Sequence, residues 1–187
     1  MRRLLVGVPV LVALALPAAA QADNGKTDKT NAAKECKAER GSTAASREAF
    51  RVRYGTNRNG SNAFGKCVSK RTKAEAAQRD AASKNASKQC KAEAAQLGEA
   101  AFAAKYGSGK KGKNAHGKCV SLKAKADKNA ADKADAEAIA KRKSAAKTCA
   151  AERNADPGAF ATKYGTNRNK RNAFGKCVSR TAKKADS

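Results

Sequence analysis

Large apolar residues are scarce in this chain, and their absence limits the folds it can adopt. Its 187 residues contain no Trp, one Met, five Phe and three Tyr, and Ala supplies more than half of the residues counted as hydrophobic. A chain of this length needs many more large apolar side chains to fill one globular core. The composition therefore excludes an ordinary single-core domain. It leaves a largely disordered chain, or several very small cores joined by segments that need none.

Residues that carry catalysis are equally few. The single His, His116, stands where Phe64 and Phe174 stand in two related segments, which favours a packing role. The Cys residues show no Cys-x-x-Cys spacing and no matching His ligands, as a zinc site would require. A phosphate-binding Gly-rich loop and a nucleophile elbow are also absent from the sequence. We predict no enzyme activity, no catalytic residue, no cofactor, no metal and no small-molecule substrate.

Acidic residues are scarce as well. Lys and Arg number 41 against 16 Asp and Glu, so the formal net charge is +25 at pH 7. Basic charge spread along a whole chain suits contact with an extended polyanion. The alternative is that the charge only keeps an Ala-rich protein in solution.

The N-terminus has the pattern of a secretory signal peptide. Arg2 and Arg3 precede an apolar run over Leu4–Leu16, and a small-x-small site predicts cleavage after Ala22. The run is short for a membrane span, which needs about 20 apolar residues, although an uncleaved anchor is the alternative. No later segment is apolar enough to span a membrane. We predict a secreted, extracellular or cell-envelope-associated protein from which residues 1–22 are removed.

One segment occurs three times. The copies read YGTNRNGSNAFGKCVS, YGSGKKGKNAHGKCVS and YGTNRNKRNAFGKCVS, and they begin at Tyr54, Tyr106 and Tyr164. Upstream of each copy lie a Cys followed three residues later by Glu, and a Phe four residues before the Tyr. All length variation falls between that Cys and that Phe. A fixed block preceded by a variable turn indicates a compact folding unit.

The motif pair, Cys-x-x-Glu followed by YGTNRN…NAFGKC, resembles a repeat found in uncharacterised exported bacterial proteins. The resemblance implies export and no particular activity. The Ala- and Lys-rich segments between the copies are also similar in composition to the basic tails of linker histones and bacterial nucleoid proteins. That likeness implies nucleic-acid binding, whereas the signal peptide argues against a chromosomal partner.

The sequence predicts an all-α fold of three small disulfide-linked helical modules joined by long Ala/Lys-rich helices, extended rather than one globule. Ala is the best helix former, and the connecting segments contain no Pro or Gly. Because these segments carry almost no large apolar side chain, we expect exposed linker helices stabilised by helix propensity alone. The predicted segments are a flexible leader at 23–31, module 1 at 32–69, a helical linker at 70–86, module 2 at 87–121, a helical linker at 122–145, module 3 at 146–179 and a basic tail at 180–187.

Six Cys residues in an exported chain, two in each repeat, predict three disulfides. The repeat pairs the two Cys of each module, which gives Cys36–Cys67, Cys90–Cys119 and Cys149–Cys177. A module of roughly 35 residues needs such a link, because domains below about 40 residues seldom fold on a hydrophobic core alone.

Within each module the sequence predicts three helices. Phe and Tyr four residues apart form the apolar stripe of a short middle helix. In the third copy Asp156 is the expected N-cap, with Pro157 at the first helical position. The Gly after each Tyr is predicted to be a left-handed C-cap, and Asn62 and its equivalents to be N-caps of the third helix. The Glu after the first Cys is expected to pair with the Lys before the second Cys, which is Lys66 in module 1.

The loop between the Tyr and the second Cys is the candidate binding site. It contains no acidic residue in any copy, and it leads into a helix N-terminus, where N–H groups and the helix dipole favour anions. The predicted anion-binding residues are Arg58, Lys66, Lys110, Lys111, Lys113, Lys118, Arg168, Lys170, Arg171 and Lys176.

We therefore predict a secreted, strongly basic, non-enzymatic repeat protein that binds anionic polymers electrostatically. Eligible partners are wall polymers, acidic polysaccharides, phospholipid head groups and extracellular DNA. Two alternatives stay open: a structural or spacer protein whose modules contact other proteins, and a nucleic-acid-binding protein. A membrane-active protein fits less well because the linkers lack a face rich in Leu, Phe or Trp.

Overall fold

The computed structural model describes residues 18–108 and 112–185, with side chains described from residue 25 onwards. This part of the chain is all-α, as predicted, and contains no strand. Its helices are α1 (Ala18–Arg40), α2 (Ala44–Tyr54), α3 (Ala63–Leu97), α4 (Glu99–Tyr106), α5 (Ala115–Ala155), α6 (Pro157–Tyr164) and α7 (Ala173–Lys184). None of these described helices combines the length and the hydropathy needed to cross a membrane. Residues 1–17 of the predicted signal peptide lie outside the described residues.

Each module is a three-helix unit closed by one disulfide. The end of one helix, a short helix and the start of the next helix meet there: α1, α2 and α3 in module 1, α3, α4 and α5 in module 2, and α5, α6 and α7 in module 3. The disulfides join Cys36 to Cys67, Cys90 to Cys119 and Cys149 to Cys177, the pairs that the repeat predicts. All six of these residues are fully buried.

The core of each module consists of the disulfide and the predicted Phe–Tyr pair. In module 1 the rings of Phe50 and Tyr54 pack with centroids 4.9 Å apart, and the equivalent pairs lie at 5.0 and 4.9 Å. The short helix of module 3 begins as predicted. Asp156 accepts a hydrogen bond from the Ala159 N–H at 2.8 Å, and Pro157 occupies the first turn.

The predicted linkers are helices that pack along one face rather than being exposed on all sides. α3 continues through residues 70–86 and α5 through 122–145, and both pack against each other and against α1. Ala82, Ala86 and Ile139 are buried on these helices. Small side chains allow helix axes to approach closely, so Ala-rich faces can pack without large apolar residues. The expectation of exposure is wrong because it considered only large side chains.

The chain is folded back on itself rather than extended, which corrects the predicted arrangement of the modules. α3 and α5 form a long antiparallel hairpin with module 2 at its closed end, so modules 1 and 3 meet at the open end. There the guanidinium of Arg153 on α5 donates two hydrogen bonds to the carboxylate of Glu48 on α2, at 2.5 and 2.9 Å. Ion pairs between separate segments of the chain hold the hairpin closed.

The predicted leader and most of the predicted tail belong to helices. Residues 23–31 lie in α1, where Asp28 is buried and forms an ion pair with Arg79 of α3. Residues 180–184 lie in α7. The predicted cleavage after Ala22 would remove the first turn of α1 and leave the Asp28 contact in place.

Candidate functional site

Each candidate loop is closed by the Asn that the sequence placed at a helix N-cap. The Asn62 side chain accepts a hydrogen bond from the Thr56 N–H at 3.0 Å and donates one to the Thr56 hydroxyl at 2.7 Å. The same two bonds join Asn114 to Ser108 and Asn172 to Thr166. None of these side chains caps the helix that follows. Each Asn therefore occupies the predicted N-cap position, but its side chain joins the start of its loop to the end instead of capping the helix.

The Gly after each Tyr permits a close backbone approach rather than a left-handed C-cap. Gly55 has φ −70°, and a Cβ built on it would lie 2.6 Å from the Arg51 carbonyl oxygen and 2.7 Å from the Gly60 Cα. The equivalent Gly residues are extended and crowded in the same way. The left-handed position comes six residues after the Tyr, at Gly60 (φ 66°) and Gly112 (φ 54°). The Gly after each Tyr therefore occupies the predicted C-cap position, but in an extended rather than a left-handed conformation.

Module 3 has Lys170 at that left-handed position. Its φ is 55°, which is uncommon for a residue with a side chain. Its ammonium group donates a hydrogen bond to the Gly165 carbonyl at 3.1 Å. One of the predicted anion-binding cations is therefore partly used to hold its own loop.

The remaining predicted anion-binding residues that the structure describes are exposed. They are Arg58, Lys66, Lys113, Lys118, Arg168, Arg171 and Lys176. Within residues 18–108 and 112–185 none of them forms an ion pair with a carboxylate. Lys110 and Lys111 lie outside the described residues. Arg58, Lys113, Arg168 and Arg171 lie in the loops, whereas Lys66, Lys118 and Lys176 lie at the start of the helices that follow. Module 2 is separated from the other modules by roughly 35 Å along α3, at about 1.5 Å per helical residue.

The Glu after the first Cys of module 1 is buried and does not pair with the expected Lys. Glu39 is 4% exposed and accepts hydrogen bonds from the Tyr54 hydroxyl and the Arg71 guanidinium, both at 2.9 Å. The Arg142 Nε of α5 lies 2.9 Å from its other oxygen. Lys66 lies on the exposed side of α3, so the predicted Glu–Lys pair is wrong.

The bond between this Glu and the Tyr recurs in every module. The Tyr106 hydroxyl donates to Glu93, and the Tyr164 hydroxyl donates to Glu152, both at 2.9 Å. Sequence reasoning assigned the Tyr to packing alone. The signal was present, because Cys-x-x-Glu and the Tyr occur together in all three copies.

In modules 2 and 3 the surrounding donors keep this carboxylate ionised. Hydrogen bonds from Lys105, Lys123 and the module's Tyr lower the pKa of Glu93 to about 2. The hydrogen bonds from Lys163 and then from the Tyr likewise lower the pKa of Glu152. Both side chains are therefore negative at neutral pH, and each has a Lys of its own module beside it.

A second group of carboxylates is enclosed where α1, α3 and α5 meet. Glu35, Glu75 and Asp135 bring carboxylate oxygens within 4.8 Å of one another. The Arg71 guanidinium lies beside them, 2.5 Å from Glu35 and 3.9 Å from Asp135, so a protein cation balances part of their negative charge. The Lys128 ammonium lies 2.7 Å from Glu75. Burial raises the pKa of Glu35 even though the neighbouring Arg71 lowers it.

No family model matches the chain, and comparison with curated proteins and with solved structures gives no match either. Function is therefore inferred from the geometry and charge of the chain itself. The arrangement places carboxylates against Arg, Lys and Tyr partners between the helices and leaves the loop cations exposed. Such a surface can bind anions.

Proposed function

We propose that the protein is a secreted, non-enzymatic repeat protein that binds anionic polymers of the cell envelope or other extracellular polyanions by electrostatic contact. The observation that supports this most is the segregation of charge in the fold. Asp28, Glu39 and Glu75 are buried in ion pairs. The loop cations of all three modules are exposed and lack carboxylate partners in the described part of the chain.

This segregation lowers the number of negative groups on the surface that a polyanion approaches. Pairing an acidic residue inside leaves the net charge of +25 unchanged but removes a negative group from the surface. Like charges facing each other across an interface cost several kcal/mol. Burying three carboxylates lowers this cost, although Asp80, Glu99, Glu137 and Asp156 stay exposed.

The disulfides and the placement of the modules also support the proposal. Three buried disulfides are compatible with the oxidising conditions of an extracellular location. Basic loops at both ends of the α3–α5 hairpin allow one polymer to make two or more weak contacts at once. Linked contacts of this kind bind more tightly than either does alone.

Charge reversal in one loop tests the proposal against net charge alone. The loop variant carries Arg168→Glu and Arg171→Glu, and the matched control carries Lys125→Glu and Lys133→Glu on the exposed face of α5. Both variants change the formal charge by the same amount. We expect the loop variant to elute from heparin resin at a lower salt concentration than the control variant. The slope of its log affinity against log salt should become shallower by about one unit for each cation that no longer touches the polymer.

Two results would count against the proposal. If both variants elute at the same salt concentration, binding depends on net charge and not on the loop. Failure of the unaltered protein to bind heparin or isolated wall polymer at about 0.15 M salt, where the Debye length is about 8 Å, would reject polymer binding itself.

A spacer function is the second candidate, and the packed helices favour it. α3 and α5 are held side by side, so module 2 stays at a fixed distance from modules 1 and 3. Cell fractionation with and without a high-salt wash separates the two functions. Release by salt supports electrostatic association, whereas retention through a protein partner that resists salt supports the spacer.

A further inference from the structure

Modules 1 and 3 enclose a cleft at the open end of the α3–α5 hairpin. It lies between α2, α5 and α7 and has a volume of about 620 Å³, within the range of about 300–1,000 Å³ that is usual for small-molecule sites. Its apolar lining includes Ala49, Val52, Ala138, Ala146, Val178 and Ala182. Because most of these side chains are small, the space between the helices is left open for an aliphatic chain.

One residue that lines this cleft, Val52, is not required by the repeat. Val52 lies two residues before the Tyr of module 1 and is 47% exposed, whereas Ala104 and Thr162 hold that place in the other modules. A Cβ built on Gly175 of α7 would lie 2.7 Å from the Val52 Cγ1. An apolar side chain is thus kept exposed beside a close contact between two helices.

The mouth of the cleft is basic. Lys143 of α5 and Lys176 and Lys183 of α7 line it, are exposed, and have no carboxylate partner in the described part of the chain. Glu39 is the single acidic residue among the described lining residues. Its charge is already matched by Arg71 and Arg142, so the positive charge of the three Lys residues is not cancelled at the mouth.

We propose that this cleft binds a single-chain anionic amphiphile, that is, a molecule with one aliphatic tail and one negative head group. The tail would lie along the Ala- and Val-lined space, where its burial is favourable in proportion to the apolar area removed from water. The head group would lie among the three Lys residues. A neutral head group would leave these cations without a partner, and a cationic one would be repelled by them.

The cleft differs from the proposed polymer contact in its apolar lining, which has no counterpart in the loops, although Lys176 belongs to both. The probe is 11-(dansylamino)undecanoic acid, whose fluorescence rises when it enters an apolar site, measured with the disulfide-bonded protein at about 0.15 M salt to screen general attraction. We expect saturable binding of one probe per chain, displaced by dodecanoate. Dodecyltrimethylammonium, with the same tail and the opposite charge, should displace it about tenfold less effectively.

Two variants locate the site. Lys143→Glu is expected to weaken probe binding about tenfold, whereas Lys133→Glu, exposed on the same helix away from the cleft, should leave it unchanged. Ala182→Phe should fill the cleft and abolish saturable binding while leaving elution from heparin resin unaltered, which separates this site from the polymer contact. If circular dichroism shows that Ala182→Phe does not fold, the comparison of Lys143→Glu with Lys133→Glu still tests whether the probe binds in the cleft. Equal displacement by the anionic and cationic amphiphiles, or equal effects of the two Lys variants, would overturn the proposal.

Discussion

At the scale of single residues, each module holds one carboxylate against its own Tyr hydroxyl. The bond places an ionised group at the edge of a very small core, where an unpaired carboxylate would be costly. The exposed fraction of the carboxylate side chain rises from 4% for Glu39 to 17% for Glu93 and 34% for Glu152. The same hydrogen bond should therefore matter most in module 1, where water cannot replace the Tyr hydroxyl as a donor.

Replacing each Tyr with Phe tests this order. Tyr54→Phe removes a donor from the buried Glu39 and is expected to lower the free energy of unfolding by about 1.5–3 kcal/mol, as for other hydrogen bonds to charged groups. Tyr106→Phe and Tyr164→Phe should have smaller effects because water can reach Glu93 and Glu152. Urea unfolding followed by circular dichroism measures all three. Equal losses of stability, or the smallest loss at Tyr54, would show that the hydroxyl is not what holds Glu39.

At the scale of helices, ion pairs between helices take part of the role that large apolar residues have in other bundles. Arg71 reaches carboxylates from both neighbouring helices, Glu35 and Glu39 of α1 and Asp135 of α5. Removing Arg71 would take one cation from three carboxylates at once, and loss of one partner of a buried ion pair destabilises strongly. The register of the three long helices is therefore fixed by charge as well as by packing.

Each module has a Gly two residues before its second Cys, and these three Gly residues allow a matched comparison between helices. Gly65 and Gly117 lie in the first turn of α3 and α5, and a Cβ there would meet no atom within 4 Å. Gly→Ala at these two sites should raise stability by up to about 1 kcal/mol through helix propensity. Gly175→Ala should instead lower stability, because the new methyl group would collide with Val52 where α2 and α7 touch. Shifts of the thermal midpoint check this, and an equal gain at all three sites would mean that α2 and α7 are apart.

The modules could be predicted from the sequence, whereas their assembly could not. The pairs Cys36–Cys67 and Phe50–Tyr54 recur at equivalent positions in every copy. The disulfides and the small cores could therefore be predicted from the repeat. The contact between α3 and α5 depends on Ala, which favours helices without specifying a partner, and on Arg71 and Asp135, which lie in different linkers and belong to no repeat. The candidate loops were located correctly in the chain, but their closure by Asn and Gly depends on backbone geometry that spacing does not reveal.

At the scale of the whole molecule, both the cleft and the buried carboxylates depend on the folded-back arrangement. The cleft exists only if module 1 meets module 3, and several carboxylates are enclosed only if the long helices pack. An extended chain would expose Glu39, Glu75 and Asp135 to solvent and to any polyanion. The contact between Val52 of α2 and Gly175 of α7 forms only in this arrangement, so detecting it tests the arrangement directly.

A double Cys variant measures that contact. With Val52→Cys and Gly175→Cys the two Cβ atoms should lie within the range of about 3.5–4.5 Å that a disulfide requires. The control pairs Val52→Cys with Gly117→Cys, which has the same local sequence but lies in module 2. After oxidation of dilute protein and peptide mapping, a 52–175 disulfide beside the three native ones, and none between 52 and 117, is the predicted result. Free thiols at both 52 and 175, with the native disulfides intact, would contradict the folded-back structure.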